Sequence, residues 1–114
     1  MGTKEILRVK MKVAIQGLGE VAASVEFVLE REHPDIAYIL CADGQLKHIA
    51  FRAGYARSNE QVIAGAAKRS GTKVVYERCD ISDPRSIMDA VRKVMRQIKK
   101  GGTVVVNYGA APQR

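Results

Sequence analysis

Short apolar runs alternate along the chain with longer stretches whose apolar residues recur at helical spacing. Four runs have the length and composition of strands: Lys12–Gln16, Ile36–Cys41, Lys73–Cys79 and Thr103–Val106. The second run, IAYILC, contains no charged residue, as expected of a parallel strand that is covered on both faces. The pattern therefore predicts four strands separated by helical segments.

Helical spacing is clearest in the segments before the second strand and after the third. Glu20–Arg31 reads as a helix that ends at His33-Pro34, because proline disfavours helix in the residue before it. Asp83 is a suitable N-cap, and Pro84 suits the first helical position. The apolar positions predicted on the inner side of this last helix are Ile87, Val91, Val94, Met95 and Ile98.

The region 45–70 is helical but contains two separate apolar stripes. Gly54 and Ser58-Asn59 are the points at which it divides into two helices. The first stripe consists of Leu46, Ile49, Ala50 and Ala53, and the second of Val62, Ile63, Ala66 and Ala67. Asp43-Gly44 is expected to close the preceding strand.

The resulting order, β-α-β-α-β-α-β, predicts a single Rossmann-like three-layer α/β domain. Its sheet has four mainly parallel strands in the order 3-2-1-4, with helices on both faces because crossovers are right-handed. A chain of 114 residues suits one domain with one core. We expect residues 1–11 to be a flexible leader and residues 12–114 to be the domain.

The charge of the chain is unevenly distributed. Residues 1–43 hold 5 Lys/Arg against 7 Asp/Glu, a net of −2, whereas residues 44–114 hold 14 against 5, a net of +9. A basic half favours an anionic partner such as a nucleotide or another phosphorylated small molecule. A solvated basic surface explains the same charges. Nucleic acid is a further anionic partner, but no DNA-binding motif accompanies the basic helix.

Other features of composition narrow the setting. No apolar run approaches 18 residues, so neither a membrane span nor a membrane partner is expected. The first ten residues lack the apolar core of a signal peptide. Cys41 and Cys79 show no metal spacing and are expected to be buried, inert thiols. These features predict a cytoplasmic protein.

A glycine-rich turn follows the first strand. Gly17, Gly19 and Ala22 fit the pattern G-x-G-x-x-A, with Leu18 between the glycines. Gly17 permits a tight turn and Gly19 lets the backbone approach a pyrophosphate, which then faces a helix N-terminus. Ala22 allows close packing of helix on strand. The same residues also suit a turn that serves structure alone, and Glu20 in the first helical turn would repel a phosphate.

An acidic residue ends the second strand. Asp43 follows the second glycine by 24 residues, a spacing that suits a carboxylate accepting from ribose hydroxyls. Ligands of open α/β sheets bind beyond the carboxyl ends of the strands. The ends of all four predicted strands carry small or polar residues, which is the strongest functional signal in the chain.

The segments CDISDPRSI (79–87) and VVVNYGA (104–110) resemble the middle of short-chain dehydrogenases/reductases. By this resemblance Asp80 and Ile81 flank an adenine, Asn107 and Gly109 border the cofactor, and the cofactor is NAD(P). The longer glycine loop of that family is absent, and the chain lacks its Tyr-x-x-x-Lys pair. The resemblance therefore implies cofactor binding without catalysis.

A second resemblance is to CARF domains, which sense cyclic oligoadenylates in type III CRISPR systems. The similar segments are PDIAYILCAD with the long helical stretch after it, DISDPRSIMDAVRKVM (80–95) and VVVNYGAAPQR. The loop 107–114 corresponds to the ligand loop of that family but lacks its Thr and Lys. The basic second half suits a multiply phosphorylated ligand.

We therefore predict a small, non-catalytic nucleotide-binding domain, with no catalytic or metal-ligating residue assigned. A CARF-like sensor and a ligand-free interaction module are the alternatives. We also expect a homodimer, because Thr103–Val106 forms a bare sheet edge in the predicted order. The neighbouring helix offers Met88 and Met95 as adaptable contact residues.

Overall fold

The computed structural model describes residues 11–16, 21–50 and 56–98. Within them the chain forms β1 (Lys12–Gln16), α1 (Val21–Glu32), β2 (Ile36–Cys41), α2 (Asp43–Lys47), α3 (Asn59–Ser70), β3 (Lys73–Arg78) and α4 (Pro84–Ile98). The strand predicted at residues 103–106 lies outside the described residues.

The three described strands form one parallel sheet in the order β1-β2-β3. Lys12 lies opposite Ile36, which in turn lies opposite Lys73, so the three strands begin at the same edge. The α/β class with a parallel sheet is confirmed. The four-stranded order 3-2-1-4 stays a prediction, because it includes a strand outside the described residues.

Side chains of β2 serve two hydrophobic cores, one on each face of the sheet. Ala37, Ile39 and Cys41 are fully buried in the core that α1 and α3 share. Leu40 faces the other way and belongs to a smaller core with α4. Helices therefore cover both faces of the sheet, which explains why the β2 sequence is apolar at every position.

The ends of the longer helices follow from local chemistry. Ser58 caps α3 by accepting a hydrogen bond from the backbone of Gln61, whose side chain bonds back to the Ser58 N–H. Gly71 ends the same helix at φ 73°, a left-handed conformation that glycine adopts without strain. Asp83 caps α4, since its carboxylate accepts from the Arg85 N–H at 3.0 Å.

Two details of the second helical region were predicted wrongly. Asp43-Gly44 opens α2 rather than only closing β2, and α2 ends at Lys47. Ile49 is 46% exposed instead of buried, because the chain has left the helix and pairs in an isolated bridge with Ser58. A helical stripe cannot continue through residues that have extended backbone.

The ends and faces of the last elements also differ from expectation. Met95 is 40% exposed, because Ala90, Val94 and Ile98 form the contact line of α4 and Met95 lies about 100° around the helix from Val94. β3 ends at Arg78, which leaves Cys79 beyond the strand and only half-buried.

His33 provides a test of backbone strain at the end of α1. It has φ 47°, and its N–H donates to the Leu29 carbonyl at 2.9 Å, the arrangement that normally favours glycine. We expect His33→Gly to raise the free energy of unfolding by about 0.5–1 kcal/mol, since relief of the strain exceeds the added freedom of the unfolded chain. Urea denaturation measures this change. His33→Ala keeps the Cβ and should give no gain; equal effects of the two variants would contradict the account.

Candidate functional site

The carboxyl ends of the three strands meet at one edge of the sheet. Gln16 lies opposite Leu40 and Cys41 lies opposite Arg78, so the residues that follow these positions share this edge. We call it the carboxyl edge. In open α/β sheets this is the side on which ligands bind.

β1 and α1 meet at the carboxyl edge across a short connection. Gln16 at the end of β1 and Val21 at the start of α1 are both buried, and only residues 17–20 join them. Ala22 is fully buried in the core beneath α1, as its small side chain suggested. The N-terminus of a 12-residue helix therefore begins beside the end of β1, with the positive end of its dipole at this edge.

An ion pair joins the ends of β2 and β3. Arg78 Nε donates to Asp43 Oδ1, and this bond raises the pKa of the guanidinium. The guanidinium carbon also lies 5.9 Å from the centre of the Tyr76 ring. The side chains of Asp43 and Arg78 are 59% and 55% exposed. Water therefore screens the pair, so it contributes little to stability.

Both partners of this ion pair keep unused hydrogen-bonding capacity. Asp43 uses one carboxylate oxygen on Arg78, and an ionised carboxylate has two oxygens that accept. Arg78 uses Nε–H, and a guanidinium has four further N–H donors on its terminal nitrogens. The pair therefore presents acceptors and donors side by side to solvent at the carboxyl edge.

Asp80 stabilises the turn before α4. Its Oδ1 accepts from the Ser82 N–H at 2.9 Å and from the Ser82 hydroxyl at 2.6 Å, and these two bonds lower the pKa of the carboxyl. Its own N–H donates to the Ser86 hydroxyl at 2.9 Å. Ile81, the next residue, is half-buried. The described geometry thus gives Asp80 a structural task at the carboxyl edge.

The cysteine thiols at this edge are protonated at neutral pH. Burial is the main factor that raises the pKa of Cys41 to about 12, and burial also raises the pKa of Cys79. Cys41 belongs to the core beneath α1, whereas Cys79 packs against the core beneath α4. The two thiols therefore lie on opposite faces of the sheet, and neither has the low pKa of a reactive nucleophile.

Asn59 joins α2 to the start of α3. Its Nδ2 donates to the Gln45 carbonyl at 2.7 Å, and its backbone N–H donates to the His48 carbonyl at 2.8 Å. The residue is 3% exposed, and its Oδ1 has no hydrogen-bond partner in the described structure. Buried acceptors are usually paired. The sequence analysis named Asn59 only as part of the division between two helices, not as a buried polar residue.

The predicted site residues fall into three groups. Asp43 lies at the carboxyl edge as expected, although it is paired with Arg78. Asp80 and Ile81 lie at the same edge beyond β3. Gly17, Leu18, Gly19, Asn107 and Gly109 lie outside the described residues.

Arg78 was missed by the sequence analysis. The pairing register of β2 and β3 would have revealed it. Cys41 lies opposite Arg78, so the last residue of β3 is close to the residues that follow β2.

The described ranges contain neither a metal-binding cluster nor a membrane-spanning helix. No group of three or more His, Cys, Asp or Glu residues in them is arranged to hold a metal ion. None of the helices found there is long and apolar enough to cross a lipid bilayer.

The Asp80 turn gives a prediction that concerns pH. The lowered pKa of Asp80 means that its ionised form stabilises the fold above its ordinary value of 3.8, and this contribution is lost as pH falls through the folded-state pKa. Ser82→Ala removes the hydroxyl donor, so the pKa of Asp80 should rise toward 3.8 in a carboxyl ¹³C NMR titration. Ser86→Ala, which leaves the carboxylate bonds intact, is the control. An unchanged pKa in Ser82→Ala would show that the turn hydroxyl does not act on Asp80.

Comparisons with known protein families, curated proteins and solved structures find no match to this chain. The function is therefore argued from the placement and chemistry of the described residues.

Proposed function

We propose that this domain binds a nucleotide, with NAD(P) as the first candidate, without itself catalysing a reaction. The site is the crevice beyond the carboxyl end of β1. The observation that carries the proposal is the change of face between the helices: α1 and α3 pack on one face of the sheet, and α4 packs on the other.

This change of face supports one position for a further strand in the sheet. The crossovers from β1 to β2 and from β2 to β3 move in one direction along the sheet. A right-handed crossover through a helix on the opposite face must run back in the other direction. The next free edge on that side is β1. We therefore propose that residues 103–106 form a fourth strand beside β1, in the sheet order 3-2-1-4.

A sheet of that order has its topological switch point between β1 and the fourth strand. Ligands of open α/β sheets bind at such points. The turn 17–20 and the residues Asn107 and Gly109 then lie on the two sides of one crevice, with the N-terminus of α1 facing it. Glycine at positions 17 and 19 lets backbone N–H groups approach a phosphate, and the helix dipole favours its negative charge.

The ribose is assigned to Asp43, one strand away from the crevice. Its second carboxylate oxygen is available to accept from a ribose hydroxyl while the first stays on Arg78. Asp80 and Ile81, beyond β3, border the adenine in this arrangement. Asp43 can accept from the ribose hydroxyls of NAD, and the neighbouring Arg78 can bind the ribose phosphate of NADP.

Melting temperature under a panel of ligands tests the proposal. We expect NAD or NADP to raise it, since a ligand at 100 times its dissociation constant adds about 2.7 kcal/mol. ATP, S-adenosylmethionine and cyclic oligoadenylates complete the panel. A shift with cyclic oligoadenylate alone would instead support a CARF-like sensor, and no shift with any of the five would support a ligand-free module.

A glycine substitution tests the turn itself. Gly19→Val places a branched side chain where the backbone is proposed to meet phosphate, so ligand binding should be lost while far-UV circular dichroism stays native. Gly65→Val in the middle of α3 is the matched control, because an added Cβ there meets only the end of the Arg69 side chain, at 3.4 Å. Loss of folding together with binding in Gly19→Val would indicate a turn that serves structure alone.

Asp43 is tested separately from its ion pair. Asp43→Ala should weaken the nucleotide by about 1–3 kcal/mol, the range for a hydrogen bond to a charged group. Arg78→Gln also breaks the ion pair but leaves the carboxylate in place, so it should retain binding of NAD in isothermal titration calorimetry. If both variants lose affinity equally, the ion pair matters and the ribose contact is refuted.

A further inference from the structure

We propose that the outer edge of β3 pairs antiparallel with β3 of a second copy of this chain, around a two-fold axis at Val75. β3 is hydrogen-bonded to β2 on one side, and no described strand lies on its other side. Residues 74–77 are only half-buried, whereas most residues of β2 are buried. The two cores therefore cover β3 less completely than they cover β2. An open edge of this kind is a template for strand pairing.

The backbone of β3 limits the registers that such a pair can adopt. The N–H groups of Lys73 and Cys79 donate inward, to the carbonyls of Asp35 and Cys41. Because backbone groups alternate along a parallel strand, the odd-numbered residues bond inward and Val74, Tyr76 and Arg78 direct theirs outward. An antiparallel partner must therefore place even-numbered residues opposite even-numbered ones.

Charge selects one register from those that remain. When Val75 faces its own symmetry mate, Lys73 of each copy lies opposite Glu77 of the other, which gives two opposite-charge pairs. Val74 then lies opposite Tyr76, a favourable pair of a β-branched and an aromatic residue. A shift of two residues toward the carboxyl end puts Lys73 opposite Cys79, and a further shift of two puts Glu77 opposite Glu77. Only the register centred on Val75 matches both charges.

The surroundings of these side chains fit the pairing. Lys73 is exposed, and none of the described side chains forms an ion pair with it. Glu77 is 3.4 Å from the Lys93 ammonium, and a second oxygen of its carboxylate is free to accept from a partner's lysine. A cleft of about 220 Å³ opens between β3 and α4 beside Glu77, Ala90 and Lys93, which leaves room for the incoming lysine.

This interface differs from the dimer expected around residues 103–106 or the outer side of α4. That side of α4 carries Arg85 and Arg96 beside Met88 and Met95, and no acidic side chain of the described ranges forms an ion pair with either arginine, so two copies of this side would repel. Pairing through β3 joins the described three-stranded sheets of two copies into one continuous sheet and does not use the outer side of α4. It does not depend on nucleotide binding, but it rests on the proposed order 3-2-1-4, which leaves the outer edge of β3 open.

A charge swap tests the register. The wild-type chain should show twice the 12.5 kDa monomer mass by light scattering. Lys73→Glu and Glu77→Lys should each weaken the dimer roughly tenfold or more, because each creates two like-charge pairs across the axis. The double variant restores opposite charges across the axis and should dimerise more tightly than either single variant, although Glu77→Lys also removes the ion pair with Lys93. Lys68→Glu on α3 makes the same change in net charge as Lys73→Glu and should have no effect on the dimer.

Cross-linking gives a second measurement that does not depend on charge. In the proposed register the two Val75 residues form a non-hydrogen-bonded pair, whose Cα atoms lie about 4.5 Å apart, within disulfide range. Val75→Cys in a Cys79→Ser background should therefore cross-link on mild oxidation, whereas Val74→Cys should not.

Three results would overturn the proposal: a wild-type monomer at all concentrations up to several hundred micromolar, a double charge variant no tighter than the single ones, or equal cross-linking at positions 74 and 75.

Discussion

β2 is hydrogen-bonded to a neighbour on each side and covered by helices on each face, and the described fold depends on this double burial. A strand in that position can expose no charged side chain, which explains the sequence IAYILC. Full burial of a residue such as Ile39 contributes about 1.5–3 kcal/mol relative to exposure. The alternation of side chains along β2 also assigns the helices: Ala37, Ile39 and Cys41 face α1 and α3, and Leu40 faces α4.

Burial of β2 has a consequence for function, because polar chemistry is confined to the ends of the strands. Two residues beyond Cys41, Asp43 pairs with Arg78 at the end of the neighbouring strand. Because α4 lies on the opposite face from α1 and α3, we propose that the chain after α4 runs back toward β1. The crevice that we propose for a nucleotide follows from that direction, with the glycine turn after β1 on one side of it.

The sequence predicted the structure best where a single physical factor, such as burial or local capping, determines the outcome. The bounds of β1 and β2 were predicted to the residue, since apolar runs bounded by polar residues reflect burial directly. Asp83 and Pro84 marked the start of α4 because capping depends on neighbouring residues only. Arg78 could not be paired with Asp43 in advance, because that contact depends on the register between two strands. Met95 was misplaced because periodicity gives the apolar side of a helix but not the width of its contact.

A nucleotide titration followed by ¹⁵N–¹H NMR tests the central claim most directly, because it reports on every backbone amide at once. On addition of NAD or NADP, we predict that the largest shifts fall on the amides of residues 17–22, with smaller ones at Asp43, at residues 80–81 and at 107–109, while the start of β3 and the far end of α4 stay unchanged. Glycine amides that donate to phosphate should move strongly downfield. Shifts confined to the basic side of α4, or scattered over all exposed lysines and arginines, would contradict a nucleotide site at the carboxyl end of β1.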